Sequence, residues 1–254
     1  MKSTVFSAVV VSIGYALLGW DFAALFEANR HMEKEFELEN GHSIDGITIS
    51  VSAFGAIVIT IFSGSLLDWL GRRAILVHSS LLLFFGGLLM LWSPNIYILL
   101  LARLFVGSAS GLVFTCVPIY ISETSPPNIR GLLVTMPQFM FFIGTIFSYC
   151  FILWLTLMSS PKWRIMIGAI FAPSILYLAL LVYYLPESPR WLVNDGKISE
   201  ARDSLQWLRG KKHDISGEND ASCQLLLIYS HVFHPKVISS ELIGSRLNRC
   251  SHED

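Results

Sequence analysis

The chain has 254 residues, 53% of them hydrophobic and only 15% charged, with a mean hydropathy of +0.57; that is too apolar for a soluble globular domain and points to a membrane. A formal charge of -1, with no basic stripe interleaved with aromatics, gives no reason to expect a nucleic-acid partner. Cys116 and Cys150 fall in apolar runs and Cys223 and Cys250 near the C-terminal end, a spacing that suits neither a disulfide framework nor a metal site.

A helix of about 20 apolar residues crosses a bilayer core. Six runs reach that length, at Val5 to Phe26, Gly46 to Leu67, Ala74 to Trp92, Ile96 to Ile121, Gly131 to Met158 and Ile165 to Leu185. The first is too long for a cleaved signal peptide and has no small-x-small cleavage site, so it reads as a spanning helix. It carries Asp21 near its far end. The loop "EANRHMEKEFELENGHSID" follows, holding Arg30 and Lys34 among a larger number of acids.

After the second run, "DWLGRR" places Asp68 and Arg72 four apart around Gly71, which permits a tight reversal, with Arg73 as a second cation. His78, in the third run, is expected to be a packed neutral histidine rather than a ligand. The fourth run holds Arg103 about seven residues past its start. A rise of about 1.5 Å per residue puts Asp21 and Arg103 roughly 7 to 10 Å below the same face. Opposite charges at equal depth in apolar helices are either a structural ion pair that fixes packing or a proton site.

The fourth run ends in "PIYISETSPPNIRG", where Glu123 and Arg130 flank Pro126 and Pro127, residues that stop a helix and stiffen the turn. The fifth run carries Gln138, and its Met140, Phe141 and Phe142 are expected to face lipid. "PESPRWL" follows the sixth, repeating a proline-bracketed Glu187 and Arg190. Three turns on one face thus share a theme, and together they suggest a salt-bridge lattice able to break and re-form. Lysines and arginines gather on that face, at Lys2, Arg72, Arg73, Arg130 and the segment from Arg190 to Lys212, so both ends of the chain are expected to be cytosolic.

In this order and spacing, "DWLGRR", "RLFVGSASG", "PIYISETSPPNIRG", "PQF" and "LPESPRWL" resemble the sugar porters of the major facilitator superfamily. "LLGWD", "LLLARL", "ISETSPPNIRGLL", "SYC" and "LRG" followed by "DISGE" look most like the plant tonoplast monosaccharide transporters. The resemblance implies an all-α membrane protein, a six-transmembrane-helix bundle equivalent to the N-terminal half of the twelve-helix fold. It implies two segments: a transmembrane half over 1–192, and a cytosolic segment over 193–254 whose start is family-like and whose tail is not. It further implies proton-coupled transport of a monosaccharide, glucose or fructose with sucrose as a further candidate, across the vacuole membrane.

Carried over by position, Asp21 matches the proton-accepting aspartate and Arg103 the arginine beside it. Gln138 matches a glutamine that hydrogen-bonds sugar hydroxyls, though its side chain would equally suit a bond to a neighbouring helix. Asp68, Arg72, Arg73, Glu123, Arg130, Glu187 and Arg190 match an inner gate lattice. The implied partners are the sugar, protons, the lipid bilayer and a partner half or homodimer. No cofactor is implied, and no nucleophile–base pair, metal cluster or phosphate loop suggests an enzyme. The tail after "LRGKKHDISGEND" has no spanning run and reads as a truncated or alternatively spliced product, or as a gene model that ran past an exon. The alternative function is a non-transporting protein that associates with full-length relatives.

Overall fold

The computed structural model describes residues 2–35, 44–158 and 163–209, and every regular element among them is helical. The order is α1 (Lys2–Glu35), α2 (Ile44–Leu70), α3 (Arg72–Leu91), α4 (Ile96–Thr124), α5 (Arg130–Met158), α6 (Trp163–Gly168), α7 (Phe171–Tyr184), α8 (Pro189–Asn194) and α9 (Ile198–Arg209). Six segments are long and apolar enough to span a membrane, with α6 and α7 together forming the sixth, Trp163–Tyr184.

Two boundaries differ from the sequence reading. The sixth run is not one continuous helix. Pro173 has no N–H with which to bond the Ala169 carbonyl, and the N–H of Ala172 donates to it instead at 3.2 Å, tightening the turn between α6 and α7. The expected acidic loop also starts later. α1 runs on through Glu35, because between Gly19 and Gly41 no glycine or proline interrupts a stretch rich in helix formers. Residues 36–43 and 210–254 lie outside the described residues, and with them the tail. The expected boundary between 192 and 193 falls inside α8.

Lipid tails are as apolar as leucine, so helices in a bilayer associate by close packing rather than by escape from water. Glycines make that packing here. α2 lies along α4 and α1 along α5. A Cβ on Gly107 would run into the Ser52 carbonyl oxygen, and one on Gly144 into that of Ala16. α3 buries Leu76, Leu83 and Met90 at intervals of seven, with Ser79, Ser80, Gly86 and Gly87 between them, and packs against α4 and α7. Only 17% of the apolar stretch of α2 and of α5 is buried, against 67% of α1, so these two helices keep an uncovered face.

One end of the bundle, called the basic end below, carries Arg72, Arg73, Arg130 and Arg190. Exposed Trp69, Tyr183, Tyr184 and Trp207 ring it, and Trp92 and Tyr97 mark the opposite end. Such aromatic belts sit at membrane–water interfaces, where an amphipathic ring meets both phases. α9 is clamped at the basic end, where the Thr4 hydroxyl donates to the Leu208 carbonyl at 2.8 Å.

Candidate functional site

Asp21 on α1 and Arg103 on α4 are in direct contact. Arg103 is wholly buried, and its Nη1 donates to both oxygens of Asp21 at 3.0 and 3.1 Å. Its Nε and Nη2 have no hydrogen-bond partner among the described residues. The cation is therefore held at one corner only, leaving two donors that can take another acceptor if the carboxylate is neutralised. A buried charge is tolerated only while it is paired, so Asp21 and Arg103 hold each other in place.

Sequence reasoning missed the residues that position Asp21. The backbone just before it is gripped by two α5 hydroxyls, as Thr145 donates to the Gly19 carbonyl at 3.2 Å and Ser148 to that of Trp20 at 3.0 Å. The Trp20 ring stacks at a tilt on Phe151, 5.2 Å between centroids. The signal was present in "GTIFSYC": two hydroxyls one turn apart in an apolar helix, both on the face that carries Gly144.

Gln138 is exposed on α5 and makes no hydrogen bond among the described residues. It lies about three turns nearer the basic end than Ser148, so the structure does not bring it to Asp21. Of the expected lipid-facing trio, Phe142 is exposed, whereas half-buried Phe141 packs on Phe22 at 6.1 Å and its carbonyl meets Gly19. His78 is exposed rather than packed. α3 turns that residue away from the bundle, and Nδ1 bonds the Ala74 carbonyl at 2.7 Å.

At the basic end Arg72 lies between two carboxylates, 3.5 Å from Asp68 and 3.0 Å from Glu123. α2 and α3 are separated by Gly71 alone, whose φ of 88° is cheap only for glycine, and this tight reversal brings Asp68 and Arg72 together. Glu123 occupies the last turn of α4, which stops at Ser125 before Pro126, and the Ser188 hydroxyl donates to its Oε2. Tyr120 and Trp191, which the sequence did not mark, tie in the neighbouring segments: Tyr120 Oη donates to the Pro186 carbonyl and Trp191 Nε1 to that of Asp68, each at 2.9 Å.

Glu187 is placed differently from an ion-pair partner. Its Oε1 accepts the backbone N–H groups of Arg73 at 2.9 Å and Ser188 at 3.0 Å, capping the first turn of α3 and the approach to α8. Burial pushes its carboxyl above the usual carboxylate range, while those N–H groups and the Arg72 charge pull the other way. The Arg73 guanidinium instead reaches away to the Val182 carbonyl at 2.6 Å. Arg130 caps the Ser125 carbonyl at 3.3 Å and Arg190 is exposed; neither meets a carboxylate among the described residues.

The profile of a family described as "Sugar (and other) transporter" matches residues 7–226. The chain belongs to the sugar transporter family. It is 51% identical over 218 residues to "Monosaccharide-sensing protein 2" of Arabidopsis thaliana, covering 86% of this chain and 30% of that protein. It is 32% identical to the "Glucose transporter GlcP" of Staphylococcus epidermidis, covering 78% of this chain and 43% of that one. Its fold superposes on the proton:xylose symporter XylE bound to 6-bromo-6-deoxy-D-glucose, with a TM-score of 0.79 and 25% identity over 91% of this chain and 53% of XylE. The six spans thus correspond to the N-terminal half of the major facilitator fold, and the chain covers under a third of the plant relative's length.

Proposed function

We propose that the chain forms one wall of a proton-coupled monosaccharide transporter, with Asp21 as the proton acceptor, Arg103 as its charge partner and Gln138 as a sugar-binding amide. The single observation that carries this is the ion pair buried in an otherwise apolar bundle. A carboxylate and a guanidinium are costly at that depth, and Arg103 keeps two free donors there.

Coupling follows from electrostatics. A cation held close favours the ionised carboxylate, and separation in a desolvated site favours the protonated one. Movement of α4 against α1 would therefore load or release a proton. The names of the relatives support a monosaccharide as the cargo, and the motif likeness points to glucose or fructose first. The motif likeness to tonoplast transporters supports the vacuole membrane, with the basic end cytosolic. Asp68, Arg72, Glu123 and Glu187 would brace the closed inner gate. Nothing is converted chemically; the ligand is moved.

Transport folds of this kind rock one six-helix half against another around a shared midplane site. The uncovered faces of α2 and α5 fit the docking of such a half. The same faces support a second reading, in which the chain pairs with a relative and tunes it without carrying sugar. The test is labelled hexose uptake into liposomes under an imposed pH gradient, with the chain reconstituted beside a complementary second half. Saturable, gradient-driven uptake that the Asp21→Asn variant loses supports transport. Assembly without uptake favours the second reading.

A further inference from the structure

Arg73, like Arg130 and Arg190, meets no carboxylate with its guanidinium among the described residues. Its backbone N–H is held by Glu187, but its guanidinium points to the opposite side, where only Nη2 is engaged, by the Val182 carbonyl. Nε and Nη1 make no hydrogen bond and no ion pair among the described residues. Arg73 lines an open cleft of about 210 Å³ with Tyr183, Tyr184, Leu185, Pro186 and Trp207.

The cleft lies where the sixth span ends, since Tyr184 is the last residue of Trp163–Tyr184. Tyr183 is 81% exposed and Trp207 41% exposed, both in the aromatic belt where hydrocarbon gives way to headgroups. The floor is built rather than incidental. Tyr184 packs edge-on against Phe6 at 5.9 Å, and α9, which supplies Trp207, is pinned to α1 through Thr4. Among the described residues Arg73 is the only charged side chain lining the cleft, and Glu187 beside Pro186 turns its Oε1 to backbone N–H groups.

A forked cation with two open donors, in a cleft also lined by two tyrosines, suits the oxygens of a phosphate. We propose that this cleft binds the phosphate of an anionic phospholipid from the leaflet at the basic end, and that the bound headgroup staples α3, α7 and α9 together. A lipid is favoured over a soluble phosphate because the cleft opens within the aromatic belt, so acyl chains can lie along α7 beside exposed Leu176 and Tyr183. This inference goes beyond the transport reading and does not depend on it.

The test is native mass spectrometry of the full chain released from detergent micelles containing phosphatidylinositol or phosphatidylcholine. Phosphatidylinositol should be retained about fivefold better, the size expected for one arginine at a lipid phosphate. Arg73→Gln should abolish that preference, whereas Arg202→Gln, which removes an exposed charge of α9 outside the cleft, should keep it. If Arg73→Gln loses its helical circular dichroism, two milder variants decide: Arg73→Lys should retain part of the preference and Trp207→Ala should lose it. Equal retention of the two lipids, or equal behaviour of Arg73→Gln and Arg202→Gln, would overturn the proposal. So would displacement of the lipid by an equal concentration of inositol phosphate, which would make the cleft a soluble-phosphate site.

Discussion

Arg103 grips Asp21 through one nitrogen, Nη1, at 3.0 and 3.1 Å from the two carboxylate oxygens, and leaves Nε and Nη2 buried without a partner. Removing the carboxylate strands a buried cation, which costs about 3 to 5 kcal/mol when a buried pair is broken, whereas removing both charges costs far less. Thermal unfolding in detergent should therefore show Asp21→Ala strongly destabilised and Asp21→Ala/Arg103→Leu substantially recovered. A double variant no more stable than the single would mean that the pair does not hold α1 to α4.

The helix crossings give a second prediction. A methyl at Gly107 would overlap the Ser52 carbonyl, and one at Gly144 that of Ala16, while a Cβ at Gly64 meets nothing within 4 Å. Gly107→Ala and Gly144→Ala should each lose about 1 to 3 kcal/mol through overpacking, and Gly64→Ala should be neutral or slightly stabilising. Melting temperatures of the three variants check this directly.

These residues also show what could be read before the fold was known. The spans and the reversal at Gly71 were legible because a bilayer demands long apolar helices and because few residues tolerate a φ of 88°. Equal depth was enough to suggest that Asp21 and Arg103 face each other. Direction within a turn was not legible. "GRR" gives no sign that Arg72 goes to Glu123 while Arg73 goes to Val182, since that depends on where α4 and α7 end. In "GTIFSYC" the spacing of Thr145 and Ser148 marks a polar face beside Gly144 but does not say which carbonyls it meets, because a serine or threonine in a spanning helix can equally bond its own preceding turn, as Thr145 also does at Phe141.

Glu187 should make the basic end sensitive to pH. Burial raises its carboxyl above the ordinary 4.5, so the folded chain keeps a proton that the unfolded chain has already lost. In that window the unfolded state binds fewer protons, and stability falls as pH rises from about 4.5 through the folded value. Glu187→Gln keeps an acceptor for the Arg73 and Ser188 N–H groups but cannot ionise. Its melting temperature should vary less with pH over that range than the wild type's, and an unchanged profile would remove Glu187 as the source.

Gln138 should behave unlike Asp21. It is exposed and unbonded among the described residues, so Gln138→Ala should leave the melting temperature unchanged. Loss of one hydrogen bond to a sugar hydroxyl should weaken apparent hexose affinity by about fivefold, with proton dependence retained. Hexose titrations of uptake at two pH values separate these effects.

The most direct measurement is proton movement evoked by sugar itself. The chain, paired with a complementary half in liposomes under no imposed gradient, is given glucose outside, and external pH is followed with an impermeant dye. External pH should shift by an amount that saturates with glucose, and the shift should disappear in Asp21→Asn while labelled glucose still enters. A sugar-evoked pH shift of undiminished size in Asp21→Asn would contradict this coupling.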